Sequence, residues 1–302
     1  RFGQTSAFAS SAGTIELTSR RPVNDPIREL KLATGDVHGF SADGFSAAAA
    51  NKEGWDATTS FRMEDFAGHP VVRASQRGPI DEDAWNRMRA ARASISRQLS
   101  FGRLTASLAG FAERRGNGTP LARNEGDGFD WSLGVENKGS KTILFGQEID
   151  FASVFQKRAS GDIALDQFSV PGSSLGFIHE GSCETGEHEI GFAIVALRRK
   201  GETNEDFADY KFRRVAGGRQ TQLGLSLSDA WSPAEGWNLV ANLRGDWFRD
   251  DQGRRKKWRL SNDAVLEDHS FVAREDFEAG GSLQLSRELT PQLSARGTVR
   301  SH

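Results

Sequence analysis

The chain has 302 residues, which is enough for one large domain or two ordinary ones. Its hydrophobic content of 37%, its mean hydropathy of -0.54 and the lack of any apolar run near ~20 residues exclude transmembrane helices. The net charge of -2, with a pI near 6.4, gives no global attraction to nucleic acid, and a single cysteine excludes a disulfide framework.

The first segment, residues 1–26, differs from the rest. It holds Ser10-Ser11-Ala12-Gly13 and then a short predicted strand at 14–19 that stops at Arg20-Arg21-Pro22. The chain starts without Met or a signal-peptide pattern and stops within a predicted strand. We therefore expect a fragment of a longer protein, whose missing targeting signals carry no information.

From Ile27 onward, alternating segments and turns predict an antiparallel meander of about thirteen strands. The predicted strands are 27–36, 40–50, 55–64, 88–99, 103–114, 129–138, 142–158, 175–182, 189–200, 218–231, 237–250, 271–289 and a last one from 293. The strand at 142–158 is expected to carry Ile143, Phe145, Ile149, Phe151 and Phe155 on an apolar face. The abundant glycine, 33 residues, is assigned to tight turns.

The clearest hairpin spans residues 218–250. Its first arm places three leucines on one face and glutamine and serine on the other. Its second arm begins and ends its apolar face with Trp237 and Trp247. At about 3.3 Å per residue and a tilt near 45°, these tryptophans lie about 23 Å apart, close to the height of about 25 Å of a lipid-facing barrel band.

Predicted connections alternate in length along the chain. Short turns are expected at 51–54, 100–102, 139–141, 183–187, 232–236 and 290–292, and long loops at 67–87, 115–128, 159–174, 201–217 and 251–268. Short turns on one side and long loops on the other are typical of bacterial outer-membrane barrels, whose short turns face the periplasm. A soluble propeller or sandwich offers no reason for this asymmetry.

Several segments resemble the TonB-dependent receptors, outer-membrane active transporters. Residues 12–22, AGTIELTSRRP, are similar to the end of their plug domain, and 76–79, 217–220 and 229–233 are similar to segments of their barrels. The resemblance implies a barrel of about 22 strands with a plugged lumen. Residues 1–26 would then be the C-terminal end of the plug, and 27–302 the N-terminal part of a truncated barrel.

The resemblance also implies the function. A receptor of this kind sits in the bacterial outer membrane, among lipid and lipopolysaccharide, and takes up a scarce solute such as a siderophore, metal complex or vitamin. The periplasmic TonB protein would drive uptake, although its binding segment is not found in this sequence. A passive porin and a soluble all-β binding protein remain as alternatives.

Other chemistry is weighed against this hypothesis. Gly172-Ser173-Ser174-Leu175-Gly176 has the spelling of a hydrolase nucleophile elbow but lacks the strand before it and the helix after it. Side chains of the types that bind soft metals lie around one predicted short turn, where polar residues are also ordinary: His179, Glu180, Cys183, Glu184, Glu187 and His188. We predict no enzyme, no catalytic residue, no cofactor and no metal site.

Charged residues complete the sequence picture. Arg254-Arg255-Lys256-Lys257-Trp258-Arg259 is interpreted as a solvated extracellular loop, with lipid phosphate or nucleic acid as alternatives. The lumen face is expected to hold Arg62, Glu64, Glu148, Asp150, Arg244 and Asp246. Arg97 is expected on the apolar face near the periplasmic end. Ligand-binding residues are left unknown.

Overall fold

The computed structural model describes residues 26–35, 39–48, 54–290 and 293–301. The predicted plug segment, apart from residue 26, lies outside these ranges, as do parts of the turns predicted at 37–39, 51–54 and 290–292. Among the described residues, no helix has the length and apolar character needed to cross a membrane.

Fifteen strands form one antiparallel sheet in the described chain. They are β1 (Ile27–Gly35), β2 (Gly39–Ala48), β3 (Trp55–Pro70), β4 (Asp83–Leu99), β5 (Gly102–Gly116), β6 (Arg123–Glu136), β7 (Ser140–Gln156), β8 (Ile163–Ser169), β9 (Gly172–Thr185), β10 (His188–Phe207), β11 (Phe212–Trp231), β12 (Trp237–Arg259), β13 (Val265–Ser270), β14 (Arg274–Thr290) and β15 (Leu293–Ser301). A single 3-10 turn at Ala74–Gln76 is the only helical element in these ranges.

At two places in the sheet, two short successive strands occupy the place of one long strand. Both β8 and β9 lie between β7 and β10, and both β13 and β14 pair with β12. The chain breaks the first pair at Val170-Pro171, where proline cannot donate to the ladder. The described sheet therefore has thirteen strand positions in sequence order, which confirms the predicted up-and-down meander.

One face of the sheet carries a continuous row of apolar residues. Cross-strand partners connect eleven strand positions in this row, from β2 to β14: Ala48, Ala57, Ile95, Ala106, Leu133, Leu144, Phe177, Ala196, Leu223, Trp247 and Phe277. We call these residues the apolar row and their side of the sheet the apolar face. A row without a polar member across so many strands is the pattern of a lipid-facing band.

The opposite side, the polar face, has the reverse character. In β11, Leu225 on the apolar face is 52% exposed, whereas its neighbour Ser226 on the polar face is 4% exposed. The buried serines and glutamine of this strand thus lie where a soluble sandwich would place its leucines. This inversion favours a barrel with a polar interior over a sheet that packs on another sheet.

The two arms of the hairpin at 218–250 have the predicted apolar faces. Leu223, Leu225 and Leu227 pair with Trp247, Gly245 and Leu243, and both tryptophans of the second arm lie on the apolar face. The hairpin continues beyond both predicted ends, because β11 starts at Phe212 and β12 runs to Arg259.

Strands are offset from their neighbours at the short-turn end. Ser140 at the start of β7 pairs with Gly181, and β9 continues past that point to Thr185. Trp237 at the start of β12 pairs with Arg287, and β14 likewise continues past its partner. When the ends of neighbouring strands are offset in the same direction, the hydrogen-bond register is staggered, as it is in a barrel whose strands are tilted relative to the barrel axis.

Glycines inside the strands make room for aromatic rings. At six glycines an added Cβ would lie within 3.0 Å of the aromatic ring of the cross-strand partner: Gly39 with Phe66, Gly44 with Phe61, Gly128 with Phe111, Gly146 with Trp131, Gly176 with Phe145 and Gly181 with Phe192. A Cβ at Gly176 would lie 2.2 Å from Phe145 Cζ. The assignment of glycine to tight turns alone is therefore incomplete, because the rings lie over strand backbone that has no side chain.

The predicted long loops are largely strand. The connections at that end are 71–82, 117–122, 157–162, 208–211 and 260–264, and the basic segment after residue 250 belongs to β12. The added strand segments lie beyond the apolar row, where both faces carry polar residues. Alternation disappears there while backbone pairing continues, and the sequence pattern consequently indicated loops.

The prediction for β7 is wrong about which face meets lipid. Ile143 pairs with Ile178 and Phe145 with Gly176, both on the polar face, whereas Leu144 belongs to the apolar row. Phe145 packs there against a small apolar cluster of Ile178, Ala193, Val195 and Leu197. Apolar residues on both sides of β7 removed the alternation that would have distinguished them.

Candidate functional site

A row of polar side chains crosses the polar face near the long-loop end. Direct cross-strand partners connect eight strands, from β5 to β13: Arg115, Asn124, Ser153, Gln167, Glu205, Arg214, Lys257 and Glu267. We call this row the polar ladder. It lies at a level where the apolar face carries charged residues such as Asp206 and Arg213, and so it is outside the apolar band.

Hydrogen bonds join neighbouring members of the ladder. With the Asn124 amide oxygen turned toward Arg115, it accepts from Nη2 at 2.8 Å and Nε at 3.1 Å, and the amide nitrogen lies 2.8 Å from Ser153 Oγ. Gln167 Nε2 donates to Glu205 Oε1 at 2.6 Å, and Arg214 Nε donates to Glu205 Oε2 at 2.7 Å. Lys257 Nζ lies 2.7 Å from Glu267 Oε2.

Glu205 is the most buried member of the ladder, at 3% exposure. Burial alone would raise the pKa of this carboxyl, but hydrogen bonds from Gln167 and Arg214 outweigh it and hold the pKa below its ordinary value. Glu205 is therefore an ionised, fully partnered carboxylate on the lumen side. The ladder is a fixed charged wall with both signs, to which a polar solute can hydrogen-bond.

A row of glycines runs beside the ladder. Gly172, Gly201 and Gly218 are successive cross-strand partners on the polar face of β9, β10 and β11. Gly172 and Gly201, together with Phe111 and Ile149, line an open depression of about 490 Å³. A Cβ at Gly201 would meet nothing within 4 Å, so these glycines leave the backbone accessible. Such a surface lets another backbone or a ligand approach closely.

A second ion pair lies lower on the polar face. Arg244 Nη2 donates to Asp246 Oδ1 at 2.7 Å, and Gln222 Nε2 donates to the same oxygen at 2.9 Å. Asp246 is buried, and Gly224 across from it leaves space for the pair, since a Cβ there would lie 2.5 Å from Asp246 Oδ1. A charged pair buried in the polar face is typical of a barrel interior.

The connections at the long-loop end hold one another in place. Arg158 Nε donates to Asp81 Oδ1 at 2.8 Å, and the Gly78 amide donates to Asp81 Oδ2 at 2.6 Å. Leu121 N donates to Gln156 Oε1 at 3.0 Å, which connects the next two tips. We call these three tips, 71–82, 117–122 and 157–162, the clamped rim. It forms an ordered edge beside the polar face.

The register places the predicted lumen residues on two different sides. Arg62, Glu64, Arg244 and Asp246 lie on the polar face. Glu148 and Asp150 do not, because their partners are Phe129 and Asp127 on the apolar face, and this part of the prediction is wrong. The error follows from the inverted faces of β7.

The competing sites do not assemble. No three His, Cys, Asp or Glu side chains among the described residues are placed to hold a metal ion. In the suggested group, His179 bonds Thr142 at 2.8 Å, while His188 bonds Asp229 at 2.9 Å and stacks on Trp231. The segment 172–176 is the start of strand β9, without the strand-turn-helix of a nucleophile elbow.

The basic run after residue 253 is also different from the prediction. It lies in β12, whose alternation sends Arg255 and Lys257 to the polar face, where both pair with Glu267. Lys256 is on the other face, 3.3 Å from Asp268. The run is therefore a charge-paired strand rather than a solvated loop, and it contributes a member to the polar ladder.

Sequence reasoning did not identify the ladder. Its members lie in segments where both faces are polar, and the sequence pattern predicts most of these segments as loops. The available signal was paired charge: a basic run at 254–259 precedes acidic residues at 267 and 268, and antiparallel pairing of the two segments would bring opposite charges together.

Comparisons with known proteins place this geometry in a fold. No protein-family model matches the chain, and no curated protein matches it by sequence. Among solved structures, the ferric yersiniabactin uptake receptor FyuA from Yersinia pestis aligns with a TM-score of 0.68 at 8% identity, covering 93% of this chain and 47% of that one. The open form of the Ferric-Catecholate import receptor Fiu from E. coli K12 gives 0.68 at 9% identity, with 93% and 55% covered.

A third similar structure is the copper transporter OprC, with a TM-score of 0.65 at 9% identity over 90% of this chain and 44% of that one. The chain thus spans about half the length of the structures it matches. The likeness shows that the chain has the barrel fold of outer-membrane uptake receptors. It confirms the fold class stated from the sequence.

Proposed function

We propose that the chain is part of a TonB-dependent receptor that takes up a scarce solute, such as a siderophore, metal complex or vitamin, across the bacterial outer membrane. Residues 27–302 contribute part of the barrel wall, and residues 1–26 are the end of the plug. The observation that carries the proposal is the unbroken apolar row across eleven strands, with buried polar residues on the opposite face.

The arrangement suits capture followed by gated passage. The apolar face contacts the lipid, the short turns face the periplasm, and the clamped rim and polar ladder face outward around the lumen mouth. Solute hydrogen-bonds to fixed donors and acceptors there, at low reorganisation cost. TonB, driven by the inner-membrane proton gradient, then rearranges the plug to open the lumen.

Several features support this over the alternatives. The fold likeness is to structures named as a ferric yersiniabactin uptake receptor, a ferric-catecholate import receptor and a copper transporter. A soluble binding protein would leave its exposed leucines, including Leu223, Leu225 and Leu227, in water without a covering sheet. Lipopolysaccharide is the expected neighbour of the strand segments beyond the apolar row.

The first experiment uses the full-length protein in its native cells. Fractionation should place it in the outer membrane, and unboiled samples should migrate faster on a gel than boiled ones. A strain without the gene should grow poorly when iron, another metal or cobalamin is limiting, and uptake should stop when TonB is deleted. Uptake that continues without TonB would indicate a passive porin, and a soluble product would exclude both membrane functions.

A further inference from the structure

Two arginines on the apolar face have the same unusual surroundings. Arg97 pairs across the strands with Trp55, and its Cζ lies 5.0 Å from the centre of that ring. Arg287 pairs with Trp237, and its Cζ lies 4.7 Å from that ring. The two pairs are far apart along the sheet, on β3–β4 and β12–β14, yet they repeat one geometry.

The position of both pairs is also the same. Trp55 is the first residue of β3 and Trp237 the first residue of β12, and each strand starts at the short-turn end. Both tryptophans lie on the apolar face. Trp55 precedes Ala57 of the apolar row by two residues, and Trp237 precedes Trp247 of the same row by ten. The pairs therefore mark the edge of the lipid-facing band on the short-turn side.

Neither guanidinium has a carboxylate within ion-pairing distance among the described residues, and both side chains are exposed. This distinguishes them from Arg87 at the other end of β4, whose Cζ is 5.4 Å from the Trp85 ring but whose Nε lies 3.4 Å from Asp65. The ring of His188 also stacks on a tryptophan, Trp231, but it differs from the two guanidinium groups because it hydrogen-bonds to Asp229.

Physical chemistry restricts what can meet these cations. Arginine is costly at mid-bilayer, but the cost becomes small near the interface, where phosphates lie. Stacking on an indole ring holds the guanidinium plane and leaves its N–H edge free to donate. That edge matches two oxygens of a phosphate, and the ring covers the acyl-chain side.

We infer that Arg97 with Trp55 and Arg287 with Trp237 are two phospholipid-headgroup sites that bind the phosphodiester of periplasmic-leaflet lipid. Each arginine donates to phosphate oxygens while its tryptophan contacts the glycerol and upper acyl chain. The two sites hold the barrel at a set depth from both sides of the described sheet. The inference rests on the proposed membrane location and adds a lipid specificity to it.

The test uses full-length protein in bilayers of phosphatidylethanolamine and phosphatidylglycerol. Bound phospholipid is counted by native mass spectrometry after release into mild detergent, for wild type, Arg97→Gln, Arg287→Gln and the double variant. Each substitution should lower phospholipid occupancy at its site by roughly fivefold, since one cation near a phosphate surface is worth about 1 kcal/mol. Arg87→Gln is the matched control, because Arg87 also lies over a tryptophan but forms an ion pair with Asp65. This substitution should leave phospholipid occupancy unchanged.

The outcomes separate the inference from the function on which it rests. All variants must keep the heat-modifiable gel shift, which shows that the barrel has formed. Equal phospholipid retention by wild type and the double variant would overturn the headgroup sites while leaving the receptor intact. Retention of a galactolipid, which has no phosphate, to the same extent as phospholipid would also overturn them. A wild-type protein absent from the outer membrane would instead reject the proposed function.

Discussion

At the scale of single residues, glycine opposite an aromatic ring is the recurring device of this sheet. Phe145 reaches the cluster around Ile178 and Val195 only because Gly176 has no side chain. Sequence composition shows that both residue types are abundant, but the pairing is between residues far apart in the chain. Only the register identifies which glycine belongs to which ring.

The first prediction concerns that packing. Gly176→Ala should destabilise the barrel by about 1 to 3 kcal/mol, because the added Cβ overlaps the Phe145 ring and forces it out of the cluster. Urea titration of the protein in lipid vesicles measures the change. Gly201→Ala is the control, since a Cβ there meets nothing within 4 Å. An equal loss of stability in both variants would show that overlap with the Phe145 ring is not its cause.

A pair of carboxylates supplies a second residue-level prediction. Asp166 lies directly across from Asp206, and burial, followed by the charge of Asp206, raises the pKa of Asp166. When the pKa of a carboxyl is higher in the folded state than in the unfolded state, the folded protein loses stability as the pH rises from the unfolded-state pKa through the folded-state pKa. The lost stability is not regained at neutral pH. Asp166→Asn should therefore stabilise the protein at pH 7 by about 0.2 to 1 kcal/mol.

The matched control for that change is Asp206→Asn. Asp206 accepts two hydrogen bonds from Arg213, at 2.7 and 2.8 Å, so its loss removes a bidentate pair as well as the repulsion. We expect no gain in stability from it. Unfolding midpoints of the two variants between pH 4 and pH 8 would contradict the interpretation if Asp206→Asn were the more stabilised of the two.

At the scale of elements, the strands continue beyond the apolar row and end in tips that hold one another. The connection 71–82 is attached to 157–162 through Asp81, whose carboxylate accepts from both Arg158 and Gly78. A binding surface at the lumen mouth gains from such order, because less conformational entropy is lost when solute binds. The rim is thus part of the wall rather than a flexible lid.

Removing the central carboxylate should release this connection. The hydrogen bond from Arg158, and then that from Gly78, hold the pKa of Asp81 below its ordinary value. The contact therefore contributes stability above the ordinary carboxyl pKa and loses it only as pH falls through the lowered value. Asp81→Asn should speed hydrogen exchange in residues 72–80 at neutral pH, whereas wild type should show that increase only in strong acid.

The control lies in the partner tip. Asp162→Asn changes a carboxyl for which no ion pair is found among the described residues, and it should leave exchange at 72–80 unchanged. Slow exchange in Asp81→Asn would mean that backbone contacts, such as Glu82 N to Gly118 O at 2.9 Å, suffice to hold the rim.

At the scale of the whole molecule, the two faces of one sheet define the environment of the protein. Leu243 lies between Trp237 and Trp247 on the apolar face and is 66% exposed. Arg244 beside it is on the polar face with Asp246. An apolar side that meets lipid and a charged side that meets the lumen explain both residues without a second packing layer.

Charge placed on the apolar face tests this directly. Leu243→Arg should weaken folding into lipid vesicles by about 2 to 4 kcal/mol, because the new cation lies near mid-bilayer. Leu260→Arg, at the tip after β12, should cost far less, since that tip is in water. Equal effects of the two substitutions, measured by the folded fraction on a cold gel, would contradict a membrane-embedded face.

The sequence by itself determined the fold class, the order of the strand positions and the apolar face of both arms of the central hairpin. Alternation encodes these features wherever lipid meets one face and the polar interior the other. Only the tertiary structure decided how far the strands extend, which face of β7 meets lipid, and that residues from eight strands form the polar ladder. In those regions both faces of a strand carry residues of the same character, so the alternation of apolar and polar residues is lost. The cross-strand partners that set strand length and facing lie far away in the chain.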